Sequence, residues 1–385
     1  MKRLQRIWQK KSRIALGMMA GTSTDGVDVA LTRISGRGLA SSVHLLSFAT
    51  YPFSAQMRNR ILQLLSARTE EICEMNFIVG EILADCALKL LAHAGYKPEQ
   101  IDFIGSHGQT IYHLSGAAGR RNSTLQIGEG AIIAARTGVI TVCDFRPADI
   151  AAGGTGAPLV PYADFVLFRK KGKVRALLNL GGIANVTIVP GRLEEVIAFD
   201  TGPGNMVLDG LVALKFQGRK RCDVDGQIAA RGKVDKNLLR DLMRHPYLKR
   251  QPPKSTGRET FGEGLVKSLW EQGKGMPFAD LITTATYFTA AAVHRSFLKF
   301  IFPSFKVDEI FVSGGGRHNR TLMAFLVNLF RPIPVRPLDE LGMSGDAKEA
   351  VAFALLADAT IQGMTANVPQ ATGAKRPAIL GKIIL

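Results

Sequence analysis

Residues 13–34 read RIALGMMAGTSTDGVDVALTRI, which is two apolar runs joined by a polar turn bounded by glycines. This pattern is typical of a strand, a turn and a second strand. Residues 174–189, VRALLNLGGIANVTIV, follow the same plan with Gly181 and Gly182 in the turn. The repetition predicts a duplicated chain with two similar domains.

Further apolar segments extend this pattern along the chain. Residues 309–319, EIFVSGGGRHN, join an apolar run to a third glycine-rich turn. Apolar residues recur at helical spacing over 54–94, and further helices are predicted at 278–301 and 346–357. Strands that alternate with helices predict the α/β class.

Length and composition limit the class of protein. A chain of 385 residues is too long for one ordinary core, so we expect two domains. No apolar run reaches the roughly 20 residues that span a bilayer, and no membrane partner is expected. The first 13 residues, MKRLQRIWQKKSR, are basic and contain a single serine. They lack the apolar centre of a secretory signal, and we expect a solvated tail rather than a transit peptide.

The cysteines and the charge bear on location and partners. Four scattered cysteines without a CxxC pair indicate reduced thiols in a cytoplasmic protein and no structural zinc. The net charge of +17 raises the possibility of nucleic-acid binding. Because the basic residues are dispersed and not interleaved with aromatic residues, we expect no nucleic-acid partner. Positive charge also suits anionic small ligands such as nucleotides.

Asp200 is the strongest candidate for a catalytic group. It follows an apolar run and precedes a Gly-Pro-Gly turn in residues 198–205, AFDTGPGN. Glycine lets a ligand approach the backbone, and a carboxylate at the end of a strand is a frequent general base in α/β enzymes. The alternative is an aspartate that caps the next helix.

The glycine-rich turns are candidates for phosphate binding. Backbone N–H groups in such turns bind phosphate oxygens, and the turn at 20–26 adds the hydroxyls of Thr22 and Ser23. Its Asp25 carboxylate would need an intervening cation, usually Mg²⁺. A plain hairpin turn has the same composition, but three such turns in one chain favour phosphate binding. Neither a Walker A motif nor a GxGxxG fingerprint occurs, so any ATP site has another architecture.

Several other polar residues leave their roles open on spacing alone. Glu349 lies near the start of a predicted helix, where it either stabilises the helix dipole or holds a metal-bound water. His107 lies in GSHGQT (105–110), whose side chains suit sugar hydroxyls. Asp144 and Arg146 lie in a glycine-flanked loop and either bind a ligand or pair with each other.

The ordered motifs resemble those of the anhydro-N-acetylmuramic acid kinase family, from about Ile14 to about Lys382. They are GTSTDGVD (21–28), GSHGQT (105–110), DFRPADIAAGGTGAPLVP (144–161), NLGGIANVT (179–187), FDTGPGN (199–205), PPKSTGRETF (252–261), SGGGRHN (313–319) and GDAKEAVAFA (345–354). The chain also resembles levoglucosan kinase, a close relative. One departure is Ala20, where these enzymes usually have serine.

This resemblance implies an α/β fold of the two-lobed actin-like ATPase and sugar kinase type (ribonuclease H-like), with a central cleft. The lobes are expected at 1–150, including the basic tail 1–13, and at 151–385. It implies a kinase that uses ATP and Mg²⁺ and forms a homodimer. Its reaction opens 1,6-anhydro-N-acetylmuramic acid with water and yields N-acetylmuramic acid 6-phosphate, in the recycling of cell-wall sugars. A levoglucosan kinase and a non-catalytic ATP-binding regulator are the alternatives.

The resemblance also implies residue roles. Asp200 is the base that deprotonates the attacking water, and Asp25 and Glu349 hold the metal. His107, Asp144 and Arg146 lie on the sugar side. The nucleotide is bound by Gly21, Thr22, Ser23, Thr24, Asp25, Gly26, Val27, Asp28, Gly181, Gly182, Gly314, Gly315 and Gly316.

Overall fold

The computed structural model describes residues 2–21, 24–114 and 120–385. The predicted ligands Thr22 and Ser23 therefore lie outside the described residues. Contacts within the chain divide it into two compact units. The first unit is formed by Met1–Leu167 and Ala347–Leu385, and the second by Phe168–Asp346.

The first unit contains a seven-stranded sheet. Its strands are β1 (Ser12–Ala20), β2 (Gly26–Ser35), β3 (Ser42–Pro52), β4 (Phe103–Leu114), β5 (Ser123–Ile127), β6 (Ile140–Cys143) and β12 (Lys382–Ile384). The order is β12-β6-β4-β1-β2-β3, with β5 paired to β4. Strands β1, β2 and β3 form an antiparallel meander, whereas β1, β4 and β6 are parallel.

The second unit repeats this order in a five-stranded sheet. Its strands are β7 (Arg175–Leu180), β8 (Ile183–Val189), β9 (Ile197–Pro203), β10 (Glu309–Ser313) and β11 (Val335–Pro337). They run β11-β10-β7-β8-β9, with an antiparallel meander β7-β8-β9 and parallel β7, β10 and β11. The predicted α/β class and both strand-turn-strand repeats are therefore confirmed.

Helices connect and cover the strands in both units. The first unit contains α1 (Lys2–Gln9), α2 (Ala55–Gln63), α3 (Thr69–His93), α4 (Gly130–Thr137), α5 (Phe145–Ala151), α13 (Lys348–Ile361) and α14 (Pro369–Thr372), and α6 (Val160–Phe168) ends where the second unit begins. The second unit contains α7 (Asn205–Lys215), α8 (Lys236–Leu242), α9 (Arg258–Phe261), α10 (Glu263–Gln272), α11 (Phe278–Ser296) and α12 (Arg320–Leu329). None of the helices described is both long and apolar enough to cross a membrane.

Two glycines allow α13 to pack closely on the first sheet. A Cβ atom on Gly17 of β1 would lie 1.8 Å from the Ala350 carbonyl oxygen. A Cβ atom on Gly105 of β4 would lie 2.2 Å from the Phe353 carbonyl oxygen. Only glycine therefore permits this approach, which holds the first turn of α13, with Glu349, against the sheet.

In the second unit, β9 packs against α11 and the segment that precedes Lys254. A Cβ atom on Gly202 would lie 3.3 Å from Ala292 of α11 and 3.3 Å from Leu248. The Ser296 hydroxyl at the end of α11 donates to the Thr201 carbonyl oxygen at 3.4 Å. This packing fixes the strand that carries Asp200.

The division of the chain differs from the expected lobes 1–150 and 151–385. The C-terminal segment, from Ala347 onward, belongs to the first unit. Strand β12 pairs with β6, and α13 covers β1 and β4. Local sequence patterns do not reveal which sheet a later helix or strand joins, because that choice depends on contacts distant along the chain.

The expectation of a solvated tail over residues 1–13 is confirmed only in part, because most side chains between residues 2 and 12 are exposed but two positions are buried. Residues Lys2–Gln9 form α1, and the side chain of Ile7 is buried. Arg13 belongs to β1 and is 1% exposed. Its guanidinium forms two hydrogen bonds to the Asp358 carboxylate, at 2.8 and 2.9 Å, and a third to the Gly36 carbonyl oxygen at 2.7 Å. A basic composition predicts solvent exposure, but the buried Asp358 carboxylate on α13 offsets the cost of burying the Arg13 guanidinium.

Candidate active site

Asp200 lies at a β-bulge in β9, in the second unit. It pairs with Asn185 of β8, and Thr201 is the extra residue of the bulge. The Asp200 N–H donates to the Lys254 carbonyl oxygen at 3.2 Å. The Asp200 carbonyl oxygen accepts a hydrogen bond from the Tyr247 hydroxyl at 2.8 Å. The backbone of Asp200 is thus held by the segment 247–256 as well as by its own sheet, and bulges commonly redirect a functional side chain.

The environment of the Asp200 side chain suits a general base. Its carboxylate is partly buried, and one oxygen accepts a hydrogen bond from the Thr256 N–H at 2.8 Å. Burial raises the pKa of Asp200 to about 7, and the nearby Glu259 charge acts in the same direction. The Thr256 hydrogen bond and the Lys254 charge oppose this rise in pKa. A base with a pKa near neutral pH can both be ionised and accept a proton readily.

The turn between β7 and β8 contacts the start of α7. The Gly181 carbonyl oxygen accepts from the Asn205 N–H at 2.8 Å, and the Gly182 carbonyl oxygen accepts from the Gly204 N–H at 3.0 Å. A Cβ atom on Gly204 would lie 2.2 Å from the Gly181 carbonyl oxygen. This turn therefore touches the helix that follows Asp200, and no larger residue fits at Gly204.

The third glycine-rich turn lies beside the end of β7. Gly314 has φ +79°, a conformation that favours glycine. A Cβ atom on Gly314 would lie 2.6 Å from the Asn179 side-chain oxygen, and one on Gly316 would lie 2.6 Å from Leu180 Cβ. Gly315 lies between these two glycines in the sequence. The structure thus brings Gly181, Gly182 and Gly314–Gly316 together, because parallel strands β7 and β10 end at the same edge of the sheet.

Arg317 anchors the turn at 314–316. Its side chain donates to the Asp346 carboxylate at 2.8 and 2.9 Å and to the Gly314 carbonyl oxygen at 3.3 Å. An ion pair to Asp339 at 3.3 Å adds to this arrangement. These contacts hold the turn in one position, and the Arg317 charge also lowers the pKa of Asp346.

In the first unit, the described part of the 21–28 segment contains both an exposed acid and core residues. The Thr24 N–H donates to the Gly21 carbonyl oxygen at 3.1 Å, and Thr24 has φ +59°. The Asp25 side chain is 70% exposed, with Arg58 at 3.8 Å. Gly26, Val27 and Asp28 belong to β2.

The β2 residues of this segment have partners within the sheet. The Val27 side chain is fully buried in the core, and the Asp28 carboxylate accepts from the Thr50 hydroxyl at 2.6 Å. Asp25, at the turn, is therefore better placed than Val27 for its side chain to meet a ligand.

His107 and Arg146 form a hydrogen-bonded pair in the first unit. Arg146 directs Nε and one terminal nitrogen to His107 Nε2, at 3.0 and 2.8 Å, and donates to the Gly156 carbonyl oxygen at 2.8 Å. Because Nε2 accepts, the His107 proton lies on Nδ1, 3.0 Å from the Gly108 carbonyl oxygen. Burial and the Arg146 charge lower the pKa of His107 well below its ordinary value. His107 is therefore neutral.

Asp144 pairs with Lys382 rather than with Arg146. Its carboxylate accepts a hydrogen bond from the Lys382 ammonium at 2.8 Å, whereas Arg146 is directed to His107. The backbone of Asp144 has φ 55° and ψ 47°, a left-handed conformation that is uncommon outside glycine. The structural alternative of an Asp144–Arg146 pair is therefore wrong, and the strained backbone is of the kind often found at functional sites.

Glu349 lies in the first turn of α13, as the sequence predicts. Burial raises its pKa, and the charges of Lys348 and Arg146 oppose this rise. The Lys348 ammonium itself lies 3.2 Å from the buried Asp164 carboxylate. Across the described ranges, no group of three or more His, Cys, Asp or Glu side chains is arranged as a metal site.

Comparison with known proteins identifies the family. The model of the anhydro-N-acetylmuramic acid kinase family matches residues 13–385. The chain belongs to the anhydro-N-acetylmuramic acid kinase family. It is therefore a kinase, and kinases transfer a phosphoryl group from ATP.

Individual relatives agree with this assignment. An anhydro-N-acetylmuramic acid kinase from Caldanaerobacter subterraneus subsp. tengcongensis is 48% identical over all of both chains. One from Bacillus cereus is 45% identical over 95% of this chain and 98% of its own length. Among solved structures, (R)-2-hydroxyglutaryl-CoA dehydratase component A from Acidaminococcus fermentans matches with 13% identity and a TM-score of 0.46, covering 90% of this chain and 99% of that one. That likeness is too distant to bear on the function of this kinase.

Sequence reasoning missed three residues around Asp200. They are Tyr247, Lys254 and Thr256, which contact the Asp200 backbone or carboxylate. Lys254 and Thr256 lie within PPKSTGRETF (252–261), a stretch that marked the family resemblance. That motif could have indicated a functional segment, but nothing local to it indicates which acid it contacts.

Proposed function

We propose that this family member catalyses the ATP-dependent opening and phosphorylation of 1,6-anhydro-N-acetylmuramic acid, with N-acetylmuramic acid 6-phosphate and ADP as products. The environment of Asp200 carries the proposal. A carboxylate with a pKa near 7, fixed by hydrogen bonds to its backbone and side chain, fits a base that must act on water at neutral pH.

The proposed chemistry begins with Asp200. Its carboxylate takes a proton from water as the water oxygen forms a bond to the anomeric carbon. The bond between that carbon and the bridging oxygen breaks, and the released oxygen, on carbon six, attacks the γ-phosphorus of ATP. The bond to the β–γ bridging oxygen breaks and ADP leaves. Water is a weak nucleophile unless a base removes its proton in the transition state.

The ligand-binding roles follow the residues described above. Backbone N–H groups of the turns at Gly181–Gly182 and Gly314–Gly316 and of the 21–28 segment are proposed to bind the nucleotide phosphates. Arg146, with its part-buried guanidinium, and Asp144, with its carboxylate on a left-handed backbone, are proposed to bind sugar oxygens. The two ring nitrogens of His107 are engaged by Arg146 and Gly108, so His107 is proposed to line the sugar side by orienting Arg146.

A magnesium ion is proposed for the nucleotide. Asp25 is an exposed carboxylate, and Glu349 is a desolvated one whose raised pKa reflects an environment that would favour a bound cation. Carboxylate oxygens are suitable ligands for Mg²⁺, which commonly binds through one or two carboxylates, waters and phosphates. The ion would neutralise phosphate charge during transfer.

The same proposal includes a homodimer that works in the cytoplasm, in the recycling of cell-wall sugars. The exposed free thiols of Cys73 and Cys222 suit such a reducing compartment.

Parallel assays with 1,6-anhydro-N-acetylmuramic acid and levoglucosan test this function. The protein, ATP and Mg²⁺ should give a 6-phosphosugar by mass spectrometry, with a higher kcat/KM for the muramic acid sugar. Asp200→Asn should lower kcat by about 10²–10⁴-fold while ATP still binds. Asp241→Asn, at an exposed acid of the same unit, is the matched control and should keep full activity.

Three results would contradict the proposal in different ways. A higher kcat/KM for levoglucosan would indicate a levoglucosan kinase. ATP turnover that is absent, or independent of either sugar, would indicate an ATP-binding regulator. Near-normal turnover in Asp200→Asn would leave a kinase that uses another base.

A further inference from the structure

Lys254 contacts the proposed base through the backbone. Its carbonyl oxygen accepts from the Asp200 N–H at 3.2 Å. Two residues later, the Thr256 N–H donates to the Asp200 carboxylate at 2.8 Å. The tripeptide 254–256 therefore holds both the main chain and the side chain of Asp200.

The Lys254 side chain is buried among aromatic rings. It is 6% exposed, and its ammonium nitrogen lies 4.7 Å from the ring centre of Phe300, 4.8 Å from that of Tyr247 and 5.6 Å from that of Phe199. Within the part of the chain that the structure describes, this buried nitrogen has no hydrogen-bond acceptor. Three ring faces attract a cation but do not replace the hydrogen bonds that water would provide.

More cations than anions act on the Lys254 ammonium. Burial lowers the pKa of Lys254 to about 8, and the cations Lys299, Arg250 and Arg295 act in the same direction. The Asp200 charge opposes them. Lys254 is thus mostly protonated at pH 7, where it favours the ionised form of Asp200.

A purely structural role does not account for this lysine. An apolar side chain would fill the space between three rings without the cost of desolvating an ammonium. A direct contact with a ligand does not account for it either, because the nitrogen is buried between the rings. What the Lys254 ammonium adds, compared with an apolar side chain, is its electrostatic effect on the Asp200 carboxylate.

We propose that Lys254 is a positioning residue that keeps the Asp200 carboxylate ionised at neutral pH. The inference rests on the proposed function, in which ionised Asp200 takes the proton of the attacking water. Lys254 itself contacts neither water nor sugar in this role. Its charge acts through Asp200, from a site enclosed by Phe199, Tyr247 and Phe300.

Replacement of the charge tests the proposal. In Lys254→Met, the apolar chain fills the same space, and the pKa of Asp200 should rise by about one unit. The acid limb of the pH profile of kcat/KM should move upward by the same amount, so that activity at pH 6.5 falls more than activity at pH 8.5. Lys254→Arg retains the charge and should keep the wild-type acid limb.

A direct titration separates this inference from the proposed function. The ¹³C chemical shift of the Asp200 carboxyl, assigned by its loss in Asp200→Asn, reports the pKa in the protein without substrates. Lys299→Met is the matched control, because Lys299 is exposed and its ammonium lies 5.0 Å from the same Phe300 ring. Its removal should leave the Asp200 pKa unchanged.

The outcomes are distinct. An Asp200 pKa in Lys254→Met that equals the wild-type value overturns the inference, whatever the activity. An upward shift in a protein that phosphorylates neither sugar supports the electrostatic role and counts against the proposed reaction. If Lys254→Met does not fold, as judged by its amide NMR spectrum, Lys254→Gln is titrated in its place with the same expected shift.

Discussion

The two units share one sheet order, and two of their buried sites show different ways of holding a charge. In the first unit, Arg13 forms two hydrogen bonds to Asp358, and Lys348 lies 3.2 Å from Asp164. In the second unit, the buried Lys254 has no direct acceptor among the described residues, and the neighbouring Asp200 carboxylate accepts only a backbone N–H among the bonds that the structure gives it.

This difference distinguishes buried charges that stabilise the fold from a buried charge that can take part in proton transfer. A paired buried charge has a pKa and a position that its partner controls, and it contributes to holding helices and strands together. A buried charge without a direct partner retains the ability to gain or lose a proton near neutral pH. Arg13 and Asp358 therefore attach α13 to β1, whereas the Asp200 carboxylate is left available for the proposed role of a base.

The largest expected effect on stability follows from breaking the Arg13–Asp358 pair. Arg13→Met should lower the free energy of unfolding by about 3–5 kcal/mol, because it leaves the Asp358 carboxylate buried without its cation. Urea-induced unfolding followed by circular dichroism measures the change. The double variant Arg13→Met/Asp358→Leu should recover most of the loss, and a loss below about 1 kcal/mol in the single variant would contradict the paired role.

A smaller effect, of opposite sign, is expected at Asp200. Its pKa is about 7 in the folded protein against an ordinary value of 3.8, so the folded state binds the proton more tightly than the unfolded chain does. The protonated carboxyl thus contributes stability that is fully present below about pH 4 and is lost as the pH rises through about 7. Asp200→Asn should therefore be more stable than the wild type at pH 8, by about 1–3 kcal/mol, with a gain that shrinks towards pH 4.

Urea unfolding at several pH values checks this sign. The exposed Asp241→Asn is the control and should show no such pH-dependent gain. If Asp200→Asn were less stable than the wild type at pH 8, the carboxylate would be a structural group, and the contrast with the Arg13–Asp358 pair would fail.

The smallest effect is expected at an exposed pair in the first unit. Lys382 donates to Asp144 at 2.8 Å, but the Lys382 side chain is 67% exposed. Lys382→Ala should change the free energy of unfolding by less than about 1 kcal/mol, because solvent screens surface pairs. Unfolding in low and high salt measures the contribution, and a larger loss would place Asp144 with the structural charges of the first unit.

Local patterns predicted the elements and the catalytic candidate. The apolar runs and glycine turns at 13–34 and 174–189 predicted both hairpins, and the spacing at 346–357 predicted the helix that carries Glu349. Asp200 was identified because it lies between an apolar run and a Gly-Pro-Gly turn. These features depend on residues close together in sequence, whose side-chain period and turn chemistry constrain the backbone directly.

Tertiary structure alone decided which side chains meet. The sequence of residues 1–13 and 346–361 contains no signal that Arg13 would be buried against Asp358, because the pair lies 345 residues apart. The sequence likewise determined that Asp200 lies near the end of a strand, but only the fold buried its carboxylate, which raises its pKa. The fold also brought Lys254 and Thr256 to it, and both oppose that rise. The physical reason is that burial and charge pairing depend on distances in space, whereas turn and strand patterns depend on neighbours along the chain.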